Sequence, residues 1–131
     1  MPGHARIRQI VYDIVDTEQT SLPVHLYEPG STDELPCYVV NRPELAEGDV
    51  RATAEYSITV TVLGRTLRDD EAQGELDAAV DVLEGLLWDR KVEAAGTVMV
   101  RLVGTTAATT TVANVEIPSY TALIVAETTY C

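Results

Sequence analysis

The sequence has few of the residue types that carry chemistry in small proteins. Its 131 residues include no Phe, one Trp, two Cys and two His, and only 5% are aromatic. A metal site needs several His, Cys or carboxylate ligands at suitable spacing, which His4 and His25 do not supply. We interpret Cys37 and Cys131 as a buried apolar thiol and a terminal thiol rather than as a disulfide. We therefore predict no metal and no cofactor.

Positive charge is also scarce. The sequence has nine Lys and Arg residues and 21 Asp and Glu residues, which gives a net charge of −12. This balance disfavours stable binding to nucleic acid, because such binding needs cations to neutralise phosphates. It equally disfavours docking on an anionic membrane. Two interpretations of the acidity remain open: ordinary solubility, and a conduit through which a polyanion slides without sticking.

Long apolar runs are missing too. None is long enough to span a bilayer, and the N-terminal residues do not form a signal peptide. We therefore expect a protein that folds in the cytosol.

The usual catalytic motifs are absent as well. The sequence has no G-x-S-x-G motif, no Gly-rich phosphate loop and no Cys–His pairing. We interpret His25 as an ordinary strand histidine and the Asp69–Glu71 cluster as helix capping rather than a cation site. Asp13 and Asp16 fit a solvated helix face better than a catalytic pair. We predict that the chain is not an enzyme.

What the sequence does contain is a clear strand followed by a clear helix. Over the predicted strand 51–63, every even position from Ala52 to Val62 is apolar, and the odd positions between them are polar. This period of two predicts a half-buried strand. The helix predicted over Asp69–Trp88 has an apolar stripe, a pattern at Asp70 and Gln73 that resembles a capping box, and Arg90 and Lys91 near its C-terminal end.

The remaining pattern predicts one domain over residues 1–131. We expect a first helix at 4–18, whose charges oppose its own dipole, so that it holds only by docking on a sheet of the same subunit. The other predicted segments are strands at 24–27, 37–41, 97–103, 115–117 and 120–126, loops at 31–36 and 42–49, and a Thr/Ala-rich hairpin arm at 105–113. The order α-β-β-β-α-β-β-β predicts an α+β fold with a mixed, mostly antiparallel sheet packed against two helices.

Four segments of the chain are similar to a known family. They are Tyr27-Glu-Pro-Gly30, the apolar run Cys37-Tyr-Val-Val40, the acidic helix Glu75–Trp88 and the terminal strand Ile117–Val125. The chain resembles the tail terminator (tail completion) proteins of long-tailed phages, especially those that infect actinobacteria. Its Ala/Val/Thr-rich, Lys-poor composition is similar to that host group as well.

The resemblance implies a structural role in the virion. Such proteins share a small α+β fold and form a ring, usually of six subunits, on the last ring of the tail tube. The ring stops tube polymerisation and offers a surface to the head connector. DNA passes through its lumen without stable binding. The implied partners are other copies of the chain, the tube protein and the head–tail connector, with assembly in the host cytoplasm and no membrane contact.

Ring formation requires exposed edges or arms, because heterologous contacts close rings. We therefore select two sets of residues as candidate subunit contacts. The first set lies in the loop after the first strand and comprises Glu28, Pro29, Gly30, Asp33 and Glu34. The second set lies in the Thr/Ala arm and comprises Thr105, Thr106, Thr109, Thr110 and Thr111. The acidic surface would line a bore that repels DNA.

Three alternatives remain open from the sequence. The chain is another neck or tail component, such as a head–tail joining or tube protein. Or it is a small α+β module that binds a metabolite, which a pocket lined by Tyr56, Trp88 and Tyr120 would support. Or it is an enzyme that uses His25 with an acidic partner.

Overall fold

Two helices pack on one face of a seven-stranded, curled sheet. The computed structural model describes residues 4–18, 22–27, 35–46, 53–65, 70–93 and 97–129. The elements are α1 (His4–Glu18), β1 (Val24–His25), β2 (Cys37–Val40), β3 (Glu44–Ala46), β4 (Thr53–Leu63), α2 (Asp70–Leu87), β5 (Asp89–Glu93), β6 (Thr97–Val112) and β7 (Val115–Thr129). The strand order is β1-β2-β4-β7-β6-β5, with β3 also paired to β4. Only β1 and β2 run parallel, so the predicted fold class is confirmed.

The main core lies between the helices and the sheet. Along β4, the even positions from Tyr56 to Val62 are buried and the odd positions from Glu55 to Thr61 are half-buried, as the period of two predicts. Neighbouring strands add Val98, Val100, Ala122, Ile124 and Ala126 to the same face. The helices cover this face with Ile7, Ile10, Val11, Ile14 and Val15 of α1 and with Leu76, Ala79, Val80, Leu83 and Leu87 of α2. Helix α1 thus docks on its own sheet, as expected.

One predicted loop contains a strand. β3 lies in the segment predicted as the loop 42–49, and it follows β2 along the same edge of β4. Asn41 extends the pairing of β2 with β4 by one residue. Its N–H donates to the Thr59 carbonyl (2.9 Å), and its side-chain amide donates to the Thr59 hydroxyl (3.0 Å). Pro43 then interrupts the ladder because it has no N–H to donate. Pairing resumes at Glu44, opposite Ser57.

The end of α2 lies within one residue of the predicted end, but the segment after it differs from the prediction. The helix stops at Leu87, and Arg90 and Lys91 lie in β5, opposite Val100 and Met99 of β6. No basic residue is therefore in the last turn of α2, and the assignment of these two cations to the helix end was wrong. The physical reason is that β6 offers a full antiparallel partner, whose ladder satisfies the backbone that more helix would otherwise use. The proposed N-cap cannot be followed, because Asp69 and the side chain of Asp70 lie outside the described residues.

The Thr/Ala run forms a hairpin arm, as predicted, but the strands are longer. Segment 97–103 and the run join in β6, and the two predicted strands 115–117 and 120–126 are one strand, β7. Pro118 does not break β7 because it lies just beyond the end of the β4 ladder at Ser119, where no N–H is required. Ala113 and Asn114, with φ of 49° and 65°, make the two-residue turn, as type I′ geometry requires.

A second, smaller core lies on the sheet face opposite the helices. Its members come from the residues before β2 and from β2, β4 and the distal part of the arm: Leu35, Cys37, Val39, Leu63, Val112 and Ile117. The end of the arm therefore packs on its own subunit. Cys37 is fully buried, in line with its interpretation as an apolar thiol, while Cys131 lies outside the described residues.

Candidate interaction surface

The five threonines predicted as subunit contacts lie together on β6. Thr105, Thr106, Thr109 and Thr111 are exposed. Thr110 is half-buried, and its hydroxyl shares a hydrogen bond with the Ser119 hydroxyl (2.8 Å). The first predicted set, Glu28, Pro29, Gly30, Asp33 and Glu34, lies outside the described residues. Of the two predicted sets of subunit contacts, the threonines of the arm are therefore the set that lies in the described part of the chain.

The outer edge of the arm is open. β5 pairs with β6 only from Thr97 to Arg101, and within the described part of the chain no strand lies beside residues 103–112 on that side. A β-bulge marks the change, because Leu102 pairs with Ile124 and Gly104 with Leu123, leaving Val103 as the extra residue. Along such an edge, about half of the backbone N–H and C=O groups point away from β7 and lack a strand partner.

This open edge, which we call the arm edge (residues 103–112), carries no charge. It consists only of Val, Gly, Thr and Ala in a protein of net charge −12. The sequence of β5, which forms the edge beside it, is by contrast mostly charged: Asp89, Arg90, Lys91, Val92 and Glu93. Charged residues and Pro are the usual means by which proteins keep strand edges from pairing with other chains. The arm edge has neither.

The base of the arm is fixed to the body of the subunit. The Gly64 N–H donates to the Pro118 carbonyl (2.8 Å), just where β4 ends. A Cβ built on Gly64 would lie 2.9 Å from Pro118 Cγ and 3.0 Å from its carbonyl oxygen, so only Gly fits this approach without a shift. Together with the second core, this contact presents the arm edge in one orientation.

Helix α2 is strongly acidic on its outer side. Its sequence has Asp or Glu at six positions and no basic residue. Arg65 makes an ion pair with Glu75 (3.7 Å), and both side chains are well exposed. The Tyr120 hydroxyl donates to Asp77 Oδ1 (3.3 Å), and the negative charge of Asp77 raises the pKa of Tyr120. A neighbouring anion is therefore repelled from this side of the molecule.

Arg8 has a structural role that the sequence did not reveal. Its guanidinium donates to the Val40 carbonyl from Nε (3.1 Å) and Nη2 (3.0 Å), and Nη2 also donates to the Leu26 carbonyl. The Tyr27 ring lies 5.5 Å from the guanidinium carbon, within cation–π range. In the sequence, Arg8 is an unfavourable charge near the positive end of α1, whereas in the fold it joins α1 to the ends of β1 and β2.

A buried hydroxyl joins α2 to β2. The Tyr38 hydroxyl donates to the Ala79 carbonyl (2.9 Å), and burial raises the pKa of Tyr38 to about 12. The same ring borders a groove of about 360 Å³, which is also lined by Leu22, Pro36, Glu75, Ala78, Ala79 and Val82. The groove contains none of the three aromatic residues that were expected to line a metabolite pocket.

Those three aromatic residues are not brought together. Tyr120 pairs with Val62, which lies six positions along β4 from Tyr56. At about 3.4 Å per residue this spacing is about 20 Å. The Tyr56 ring makes an edge-to-face contact with His4 (5.2 Å), and Trp88 is exposed just after α2. The predicted support for the metabolite-binding alternative is thus not found.

The candidate catalytic residues lie on α1 and β1. Asp13 and Asp16 are exposed on α1, and Asp13 accepts a hydrogen bond from Gln9 Nε2 (2.8 Å). His25 is half-buried in β1. Among the residues that the structure describes, no three His, Cys, Asp or Glu side chains are grouped as metal ligands would be. Neither helix in the same part of the chain has the length and apolar character needed to cross a membrane.

The chain matches no protein-family model, and no curated protein matches it in sequence.

Proposed function

We propose that this chain is the tail terminator of a long-tailed phage. It caps the tail tube as a ring, usually of six copies, ends tube polymerisation and joins the tail to the head connector. Its partners are then copies of itself, the tube protein and the connector, and it is part of the virion neck.

The observation that carries the proposal is the combination of this fold with a projecting arm. The family that the sequence resembles has a small α+β fold, and here two helices pack on one face of a mostly antiparallel sheet. The arm edge and the exposed threonines of β6 supply the type of surface that subunits use to join.

The acidity of α2 fits a role beside moving DNA. The helix has six acidic positions without a single basic residue, so it repels phosphates at close range. A subunit that lines a bore has to avoid holding the polyanion that passes through it. If α2 faces the lumen, basic substitutions there should slow DNA ejection without changing tail length.

The deciding experiment is removal of the protein from its phage. Particles assembled without it should contain overlong tails that are not attached to heads, and the intact protein supplied in trans should restore tail length. Electron microscopy with a gold label on this chain should place the label at the head-proximal end of the tail. Tails of normal length that attach to heads would refute the proposal.

The same micrographs separate the neighbouring roles. A head–tail joining protein leaves tails of normal length that remain unattached when it is missing. A tube protein leaves no tails, and when purified it polymerises into long tubes.

A further inference from the structure

The arm edge combines three features that rarely occur together. It is long, its side chains are mostly exposed, and within the described residues it has no strand on its outer side. It also lacks charged residues and Pro along its whole length. An edge of this kind is a template for strand addition unless something pairs with it.

We propose that the arm edge pairs, antiparallel, with the arm edge of a second copy of this chain, in a two-fold contact centred on Ala108. The proposal does not rest on the phage role. It concerns the free subunit before assembly, for which it predicts a closed dimer whose sheet continues from one protomer into the other. This dimer has to open before the same edge can join subunits in a ring.

The order of residues along the edge fits such a contact. In a two-fold antiparallel pair, opposed residues lie on the same face of the sheet, so their numbers add to an even value. With Ala108 opposite itself, Thr105 opposes Thr111 and Thr106 opposes Thr110. Each of these pairs occurs twice by symmetry, and opposed threonines stabilise antiparallel strands.

Charge restricts where two copies of this chain can meet. Two molecules of net charge −12 repel one another over most of their surfaces. At the arm edge no charged side chain opposes another, so the ladder forms without a like-charge contact. The backbone groups of the edge then gain strand partners that the described residues of one chain do not supply.

The other open edges of the described chain fit less well. β1 has two residues and β3 has three, which is too short to match the arm edge. β5 has five residues, but four of them are charged. Among the described segments, the one that matches the arm edge in length and in lack of charge is the arm edge of a second copy.

Substitutions that introduce a positive or a negative charge at Ala108, the centre of the contact, test the proposal. In Ala108→Lys, two lysines face each other across the two-fold axis, and in Ala108→Glu two glutamates do. Sedimentation velocity from about 1 µM to about 500 µM should show wild type as a dimer at the upper end, and each variant should dimerise at least about tenfold more weakly. An equimolar mixture of the two variants should restore the dimer, because Lys then faces Glu.

The matched control is Glu116→Lys. Glu116 is exposed on β7, in the same arm but one strand away from the edge, and opposite Thr111. It should dimerise at least as well as wild type, since it adds a lysine without placing it at the contact. Circular dichroism melts of all variants should agree within a few degrees, because Ala108 is exposed.

Crosslinking checks the register independently. With Cys131 replaced by Ser, a short bismaleimide should join Ala108→Cys to itself in high yield and Thr106→Cys much less, since Thr106 opposes Thr110. A wild-type protein that remains monomeric to about 500 µM overturns the proposal. So does any dimer or ring that both Ala108 variants leave intact, and a ring with that behaviour would still favour the terminator role.

Discussion

The two faces of the sheet differ in how they are covered. One face lies under two helices and buries a continuous set of mostly Val, Ile and Ala side chains from five strands, β1, β2, β4, β6 and β7. On the other face, the described residues form a six-residue core at one end, where the arm packs on β2 and β4. Global stability should therefore reside in the helix-covered face, whereas the second core mainly holds the arm in place. The predictions below test this division.

The sharpest comparison uses two isoleucines of β7 on opposite faces. Ile124 lies in the main core and Ile117 in the second core, and both are fully buried. Ile124→Ala should lower the free energy of unfolding by about 4 kcal/mol and Ile117→Ala by about 2 kcal/mol, because the arm can relax around the smaller side chain. Urea unfolding measures both values.

Hydrogen exchange adds a readout that a general loss of stability cannot imitate. Ile117→Ala should speed exchange of the arm amides selectively, since the arm is expected to open as a unit. Equal acceleration throughout the sheet would contradict the division between the two faces.

Arg8 tests how α1 is held on the covered face. Arg8→Met keeps the apolar stem but leaves the Val40 and Leu26 carbonyls without this donor, and should lower the free energy of unfolding by about 2 kcal/mol. Arg42→Met is the matched control, since Arg42 is exposed just after β2, and it should change the free energy of unfolding by less than about 0.5 kcal/mol. Thermal melts of the pair suffice to compare them.

Tyr38 tests the link between α2 and β2. Tyr38→Phe removes the hydrogen bond to the Ala79 carbonyl and should cost about 1 kcal/mol at neutral pH. The folded pKa of Tyr38, raised from 10.0 to about 12, lies above the unfolded value. Stability from this group is therefore complete below pH 10 and declines as the pH rises towards 12. Wild type should lose more stability than Tyr38→Phe across that window, and parallel losses would contradict burial of the hydroxyl.

The smallest expected effect is a gain in the arm. Ala113 has a φ of 49°, which is unfavourable for an L residue with a Cβ, and Asn tolerates this region better. Ala113→Asn should raise the free energy of unfolding by about 0.5 kcal/mol. The same change at Ala107, within β6, should give no gain. A gain at Ala107 would mean that turn geometry is not the cause.

The elements that could be predicted are those whose pattern is local. β4 and α2 show clear periods of two and 3.6, and both helices begin where expected. β3 and β5 could not be predicted because such short strands exist only where a neighbouring edge offers hydrogen bonds. The bulge at Val103 also hid the true length of β6, since it reverses which residues share a face.

The candidate surface could be predicted in part. A run of β-branched threonines favours an exposed strand, and Thr105, Thr106, Thr109, Thr110 and Thr111 do lie on β6. That these residues join subunits stays a prediction. The outer edge is open because β5 begins only at Asp89, opposite Arg101, and no local pattern encodes that pairing. The contacts of Arg8 and Tyr38 depend on carbonyls far along the chain and were equally invisible.

The close approach of Gly64 and Pro118 has a mechanical consequence. The hydrogen atom on Gly64 occupies a gap that a methyl group would overfill, with contacts of 2.9 and 3.0 Å. A methyl group there would push Pro118 away from the end of β4. Because the arm is a hairpin that continues beyond Pro118, a shift of a few tenths of an ångström at Pro118 would become a larger displacement at Asn114. The direction in which the arm projects therefore depends on Gly64, which lies in neither strand of the arm.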